Sequence, residues 1–173
     1  MRWLRAICVA LAFGVSSAAA AEPSNTATWS ALAIGSGVLE LRYERLLTPT
    51  FAVVGIGGVT VVKGLTAPFL VGSVVECGAQ ARWYVAGTFI DGLALALEAM
   101  VVARRDDAPF DRKVVAVGPK LAYKLASRFG PTVELQVGGA AVVHFVTPYG
   151  DSAALGSYLE AQPSVNFGVG YSF

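Results

Sequence analysis

The chain reads as an all-β protein: a closed, eight-stranded antiparallel up-and-down β-barrel of the transmembrane kind, with short periplasmic turns. Three observations predict this. Ser164 to Phe173 (SVNFGVGYSF) alternates strictly, with Val165, Phe167, Val169, Tyr171 and Phe173 large and apolar and the residues between them small or polar. Period two is the signature of a strand with one apolar and one wet face, and a lipid-facing strand ends well on an aromatic residue. Mean hydropathy is +0.60 and 55% of residues are hydrophobic, yet beyond the N-terminal segment the longest uncharged apolar run, Phe51 to Val62, stops at Lys63. That is too short for a spanning helix, so the apolar content belongs to sheet. Finally, four segments carry their charges on one parity only, which puts the charges on one face of a sheet.

The first element is not part of that sheet. Arg2 and Arg5 precede an apolar core, Ile7 to Val15, and the small-residue run Ser16 to Ala21. This is the pattern of a secretory signal peptide over residues 1–21, cleaved before Ala21 or Glu22. Cys8 lies too early in the apolar run for a lipoprotein site. Residues 22–173 then form one barrel domain. Without Arg2 and Arg5, the 13 Lys+Arg fall to 11 against 12 Asp+Glu, a net charge of −1. No basic excess points to nucleic acid. Cys77 alone remains, which excludes an intrachain disulfide, so stability must come from closed strand pairing.

The strands follow in order. Thr26 to Ile34 is needed as a first, upward strand, turning at Gly35-Ser36-Gly37; its alternation is blurred. Leu39 to Leu46 runs down to the turn Thr48-Pro49-Thr50, and the Phe51 run returns. In Val74 to Val85, Val75, Cys77, Ala79, Ala81, Trp83 and Val85 share one face, with Glu76, Gly78, Gln80, Arg82 and Tyr84 on the other. A turn at Ala86-Gly87-Thr88 leads to Leu93 to Val101, with Leu93, Leu95, Leu97, Ala99 and Val101 opposite Ala94, Ala96, Glu98 and Met100. Around Lys120 the inner set is Ala116, Gly118, Lys120, Ala122 and Lys124, against Val115, Val117, Leu121 and Tyr123. The turn Arg128-Phe129-Gly130-Pro131 precedes Val133 to Phe145, where Glu134, Gln136, Gly138 and His144 oppose Val133, Leu135, Val137, Ala141, Val143 and Phe145. The terminal strand completes an even number, as single-chain bacterial barrels require. Longer connections are expected at Lys63 to Pro68, Arg104 to Arg112 and Thr147 to Ser157. Short and long links alternate, as periplasmic turns and extracellular loops do.

With its signal segment, Leu39-Glu40-Leu41-Arg42-Tyr43-Glu44-Arg45 before one short turn, Ala81-Arg82-Trp83-Tyr84 before another, and the terminal Gly170-Tyr171-Ser172-Phe173, the chain resembles the small OmpA-like and OmpX-like outer-membrane β-barrels. The resemblance is architectural and covers the whole mature chain. It implies residence in the bacterial outer membrane, contact with membrane lipids and lipopolysaccharide, assembly by the barrel insertion machinery, and a monomer. It implies no activity, because one fold hosts many functions.

Parity also nominates sites. The lumen is expected to hold Glu40, Arg42, Glu44, Glu76, Arg82, Glu98, Lys120, Lys124 and Glu134. Eight strands leave an interior that side chains fill, and buried charges persist only when paired. The expectation is therefore an ionic plug rather than an ion path. Trp83, Phe89, Tyr123, Phe129, Tyr171 and Phe173 lie near the short turns and are expected to form an aromatic girdle. His144 is the only histidine. It falls on the lumen parity near a rim, followed by Thr147, Asp151 and Ser152, and lacks the His-x-Ser-Asn pattern of lipid A deacylases. No catalytic residue, zinc site or cofactor is expected. Arg104, Arg105, Arg112 and Lys113 suit phosphate, but Asp106, Asp107 and Asp111 dilute an anion site. The reading is a structural or interaction protein of the cell surface; the alternatives are a lipid A-modifying enzyme of the deacylase or acyltransferase type, and a narrow channel.

Overall fold

The computed structural model describes residues 23–35, 37–60, 73–105, 110–127, 130–148 and 156–173. Eight antiparallel strands close into a barrel in sequence order. They are β1 (Asn25–Ser30), β2 (Val38–Thr48), β3 (Phe51–Thr60), β4 (Ser73–Gly87), β5 (Asp91–Arg105), β6 (Phe110–Ala126), β7 (Pro131–Pro148) and β8 (Gly156–Ser172), with one short helix, α1 (Ala31–Gly35), between β1 and β2. The barrel has two unlike ends. At one end, which carries the chain ends of β1 and β8, the connections β2–β3, β4–β5 and β6–β7 are short. The β1–β2, β3–β4, β5–β6 and β7–β8 connections leave the other, and β3–β4 is the longest of them.

Register fixes the barrel's shape. Starting from Thr28, paired residues run through Arg42, Ile56, Gly78, Met100, Ala116 and Val142 to Glu160. Thr28 also pairs with Gly170, so one circuit climbs from position 170 to position 160 of β8. That stagger tilts the strands by roughly 40° and leaves an interior that side chains fill. Every residue on this circuit faces inward, and odd-numbered strand residues face out. The packed apolar cluster lies at the short-turn end, where Ala52, Tyr84, Phe89, Ala94 and Ala122 meet, with Leu46 against them.

The first hairpin departs from expectation. Strand stops at Ser30, not Ile34, and Ala31–Gly35 is helical. The local sequence explains it. Ala31-Leu32-Ala33 are good helix formers without alternation, and Ser30 caps the turn, its Oγ accepting from Ala33 N at 3.1 Å. The β1–β8 ladder therefore ends at Ser30↔Gly168. α1 packs between β2 and β8, and Ser30 Oγ donates to Asn166 Oδ1 at 2.6 Å. The wall consequently rises from six residues at β1 to 18 at β7. Two expected connections are shorter than read. β5 runs to Arg105 and β6 starts at Phe110, with Arg104↔Arg112 and Arg105↔Asp111 paired. β8 starts at Gly156, so Ser157 is already strand. Alternation is weak in these mixed segments, and the ladder carries them. The signal segment, Lys63 to Pro68, Phe129, Asp151 and Ser152 lie outside the described residues.

The turns at the short end are chemically specified. Thr88 N donates to Asp91 O at 2.7 Å, and Thr88 Oγ1 accepts from Asp91 N at 3.2 Å. Gly130 has φ 99°, and a Cβ there would enter the Tyr171 ring. Gly130→Ala should therefore lower stability by more than about 1 kcal/mol, read as a shift in the urea midpoint of unfolding.

Candidate functional site in the barrel lumen

The inner face is polar because the strands place one charged or amide residue after another on even positions. Three layers result. Nearest the short turns, Tyr84 meets Phe89 edge to face at 5.8 Å between centroids, and Lys124 Nζ sits 3.2 Å from the centre of the Phe89 ring. Lys124 Nζ pairs with Glu44 Oε2 at 2.7 Å, and Tyr84 OH donates to Glu44 Oε1 at 2.7 Å. Thr26, Ser172 and Thr132 form a hydroxyl chain, with Oγ–Oγ distances of 2.8 and 2.7 Å. Lys124, Glu44, Thr26, Thr132 and Ser172 are all buried in this layer.

Above it, Arg82 binds Glu134 with both terminal nitrogens, at 2.5 and 2.8 Å, and reaches Glu44 Oε2 at 3.1 Å. Its Nε donates to Gln80, and Gln136 donates to Glu134. Arg82 is 1% exposed. The third layer centres on Arg42: Nε on Glu40 at 2.6 Å, Nη1 on Glu98 Oε2 at 3.0 Å and on Gln136 Oε1 at 3.1 Å. Lys120 Nζ closes it on Glu98 Oε1 at 2.5 Å. A buried bidentate arginine–carboxylate pair with its remaining groups satisfied is the arrangement in which buried charge is tolerated.

Eight of the nine expected lumen charges thus join one network of ion pairs. Glu76 does not pair with a cation; its carboxyl lies against that of Glu40. Its Oε1 is buried and makes no hydrogen bond. Its side chain lies over Gly58, where a Cβ would fall within 2.7 Å of Glu76 Cδ. The network also enlists residues that a charge-only reading passes over: Gln80, Gln136, Tyr84, Thr26, Thr132 and Ser172. Parity could have found them, since they occupy even positions of the same strands.

The aromatic expectation needs one correction. Trp83, Tyr123, Tyr171 and Phe173 face outward, Trp83 at 61% exposed, and Tyr123 OH donates to Asp91 Oδ1 at 2.7 Å. Phe89 is instead buried, 4% exposed, inside the barrel mouth. The Thr88–Ile90 turn folds it over Tyr84 and Lys124, where a ring face meets a cation. His144 sits at the opposite rim. Its Nε2 lies 3.0 Å from Glu160 Oε1, and its ring stacks on Tyr158 at 4.4 Å. Glu160 was not anticipated because β8 begins earlier than its clear alternation. Cys77 is a part-exposed thiol.

Comparison with protein-family models, with curated proteins and with solved structures found no match.

The network makes a quantitative expectation. Arg82→Met leaves Glu134 without its cation and should cost about 3–5 kcal/mol in equilibrium unfolding. Adding Glu134→Leu should recover most of that loss, because the double variant no longer buries the stranded carboxylate.

Proposed function

We propose that the protein is an exported outer-membrane β-barrel, a monomer with a structural or interaction role at the cell surface and a lumen plugged by its own charges. The observation that carries this reading is the inverted distribution of side chains. Large hydrophobic residues stand exposed around the outer wall, among them Leu95, Leu97, Val117, Leu135, Val165 and Val169, while arginine, lysine and glutamate are buried inside. Water does not favour such a surface; contiguous apolar patches on soluble monomers are far smaller. A hydrocarbon surround favours it, and a closed barrel leaves no strand edge along the paired part of its seam. The signal-peptide pattern over residues 1–21 supports export. On this reading the short turns are periplasmic, Trp83, Tyr123 and Tyr171 anchor at the interface, lipids and lipopolysaccharide contact the wall, and the barrel insertion machinery assembles it.

The buried lower layer argues for a plug over a channel. His144 paired to Glu160 has no described nucleophile bonded to it, which disfavours the lipid-modifying enzyme. Cell fractionation, combined with the gel shift between unheated and boiled samples, tests the premise: the protein should enter the outer-membrane fraction and migrate faster unheated. Recovery in the soluble periplasm would end the proposal.

Two further outcomes are expected. Leu97, 57% exposed, should tolerate arginine at a cost of roughly 2–4 kcal/mol in lipid, measured by urea refolding into vesicles; equal stability to wild type would remove the lipid contact. In planar bilayers the wild-type protein should show no steady conductance, and stable openings abolished by Glu98→Gln would instead favour a pore.

A further inference from the structure

The lumen is not filled evenly. Below the Arg42 layer almost every inward residue is buried. Above it, Glu76, Met100, Val102, Val114, Ala116 and Ala140 all face inward yet remain partly accessible. Among the described residues the upper half is therefore a less filled cup, and the register shows how it is lined. One rising row of paired residues runs Glu40↔Gly58↔Glu76↔Val102↔Val114↔His144↔Tyr158. The row beneath ends in Met100↔Ala116↔Val142. From floor to rim, the cup passes from carboxylate to hydrocarbon to an aromatic stack.

The floor is chemically unfinished. The lumen charges comprise five acids, Glu40, Glu44, Glu76, Glu98 and Glu134, and four cations, Arg42, Arg82, Lys120 and Lys124. Among the described residues Glu76 is the acid of this set without an ion pair. Among the described residues two buried side-chain atoms lack a hydrogen-bond partner, Glu76 Oε1 and Asn166 Nδ2. Asn166 is 6% exposed and pairs in register with Gln136, whose side chain belongs to the Arg42 layer. Both unfilled positions thus lie where the satisfied network gives way to the cup. Gly58 makes room for the Glu76 side chain.

We propose that this cup binds small organic cations: a primary ammonium on Glu76, with an apolar body against Val102, Val114 and Val142. An ammonium supplies the donor and the positive charge that Glu76 lacks. A divalent metal fits poorly, since calcium takes six to eight oxygen ligands and magnesium a full octahedron, and the walls here are hydrocarbon. Beside Glu76 the Glu40 carboxyl adds a second acceptor and no positive charge, so two carboxyls face the three valines and a cation is the group that answers both. At the rim, Tyr158 stacked on His144 presents a ring face, and ring faces attract cations. Glu160 beside them adds negative charge to the mouth. The inference does not depend on which membrane holds the barrel.

The test uses the full protein refolded in non-ionic detergent and titrated calorimetrically with 2-phenylethylamine. The neutral isostere 2-phenylethanol reports what partitioning into detergent contributes. Saturable one-to-one binding of the amine is expected, at least tenfold tighter than the alcohol and at least tenfold weaker in Glu76→Gln. That variant should fold and unfold at a higher urea concentration than wild type, because it removes the acid that faces Glu40 without a cation. Val114→Trp, which fills the cup and leaves every charged residue in place, should also abolish binding. Absence of saturable binding, equal affinity for the alcohol, or full affinity in either variant would overturn the proposal.

Discussion

Arg82 stands at the crossing point of the interior. Its guanidinium comes from β4, its two carboxylate partners from β7 and β2, and Gln80 and Gln136 orient the charges around it. Like Lys124, which joins β6 to β2, Arg82 ties distant strands together at 1% exposure. Shear sets this up: with the ladder climbing from 170 to 160 in one circuit, residues at positions 44, 82 and 134 reach nearly one level. The hydrogen-bonded wall determines where the charges meet, and the charges determine that the wall has one interior filling.

The outer wall and the inner network are two halves of one constraint. A side-chain period of two sends every second residue to the opposite face, so a one-residue slip in any hairpin would carry glutamates outward and leucines in. The turns guard against that slip. Thr88 fixes one and the left-handed Gly130 another, with the Tyr171 ring covering the glycine. Sequence-local chemistry at the short end therefore secures a register that the whole interior needs.

Much of this was legible from the chain. Strict alternation in Val74 to Val85 and Val133 to Phe145 gave strand, facing and the lumen charges together, because burial on one side leaves a plain period-two record. Phe89 was read wrongly because it lies in a turn, where parity carries no information and proximity to an end suggests an interface. Ile34 was placed in strand because an even strand count demanded a first upward segment. The Ser30 cap satisfies that demand with six residues and then leaves the sheet. Glu160 and Tyr158 escaped notice because upper β8 mixes polar, aromatic and proline residues on both faces. That Glu76 meets the Glu40 carboxyl and no cation follows from side-chain reach, which no pattern of residue types encodes.

The uneven wall bears on how such a chain reaches its final form. Neighbouring strands β4 to β8 share long ladders between segments close in sequence, and such contacts form at small entropic cost. The β1–β8 seam is the reverse: five pairs, Thr26↔Ser172 to Ser30↔Gly168, drawn from opposite ends of the domain. An open sheet of hairpins can exist before that seam is sealed. The ionic lattice cannot, because Lys124 and Glu44, or Arg82 and Glu134, come within bonding distance only once the sheet has curled upon itself. Sealing the seam and assembling the lattice are thus one cooperative event. The shortest strand in the barrel acts as its latch, and the buried charges hold the latch shut.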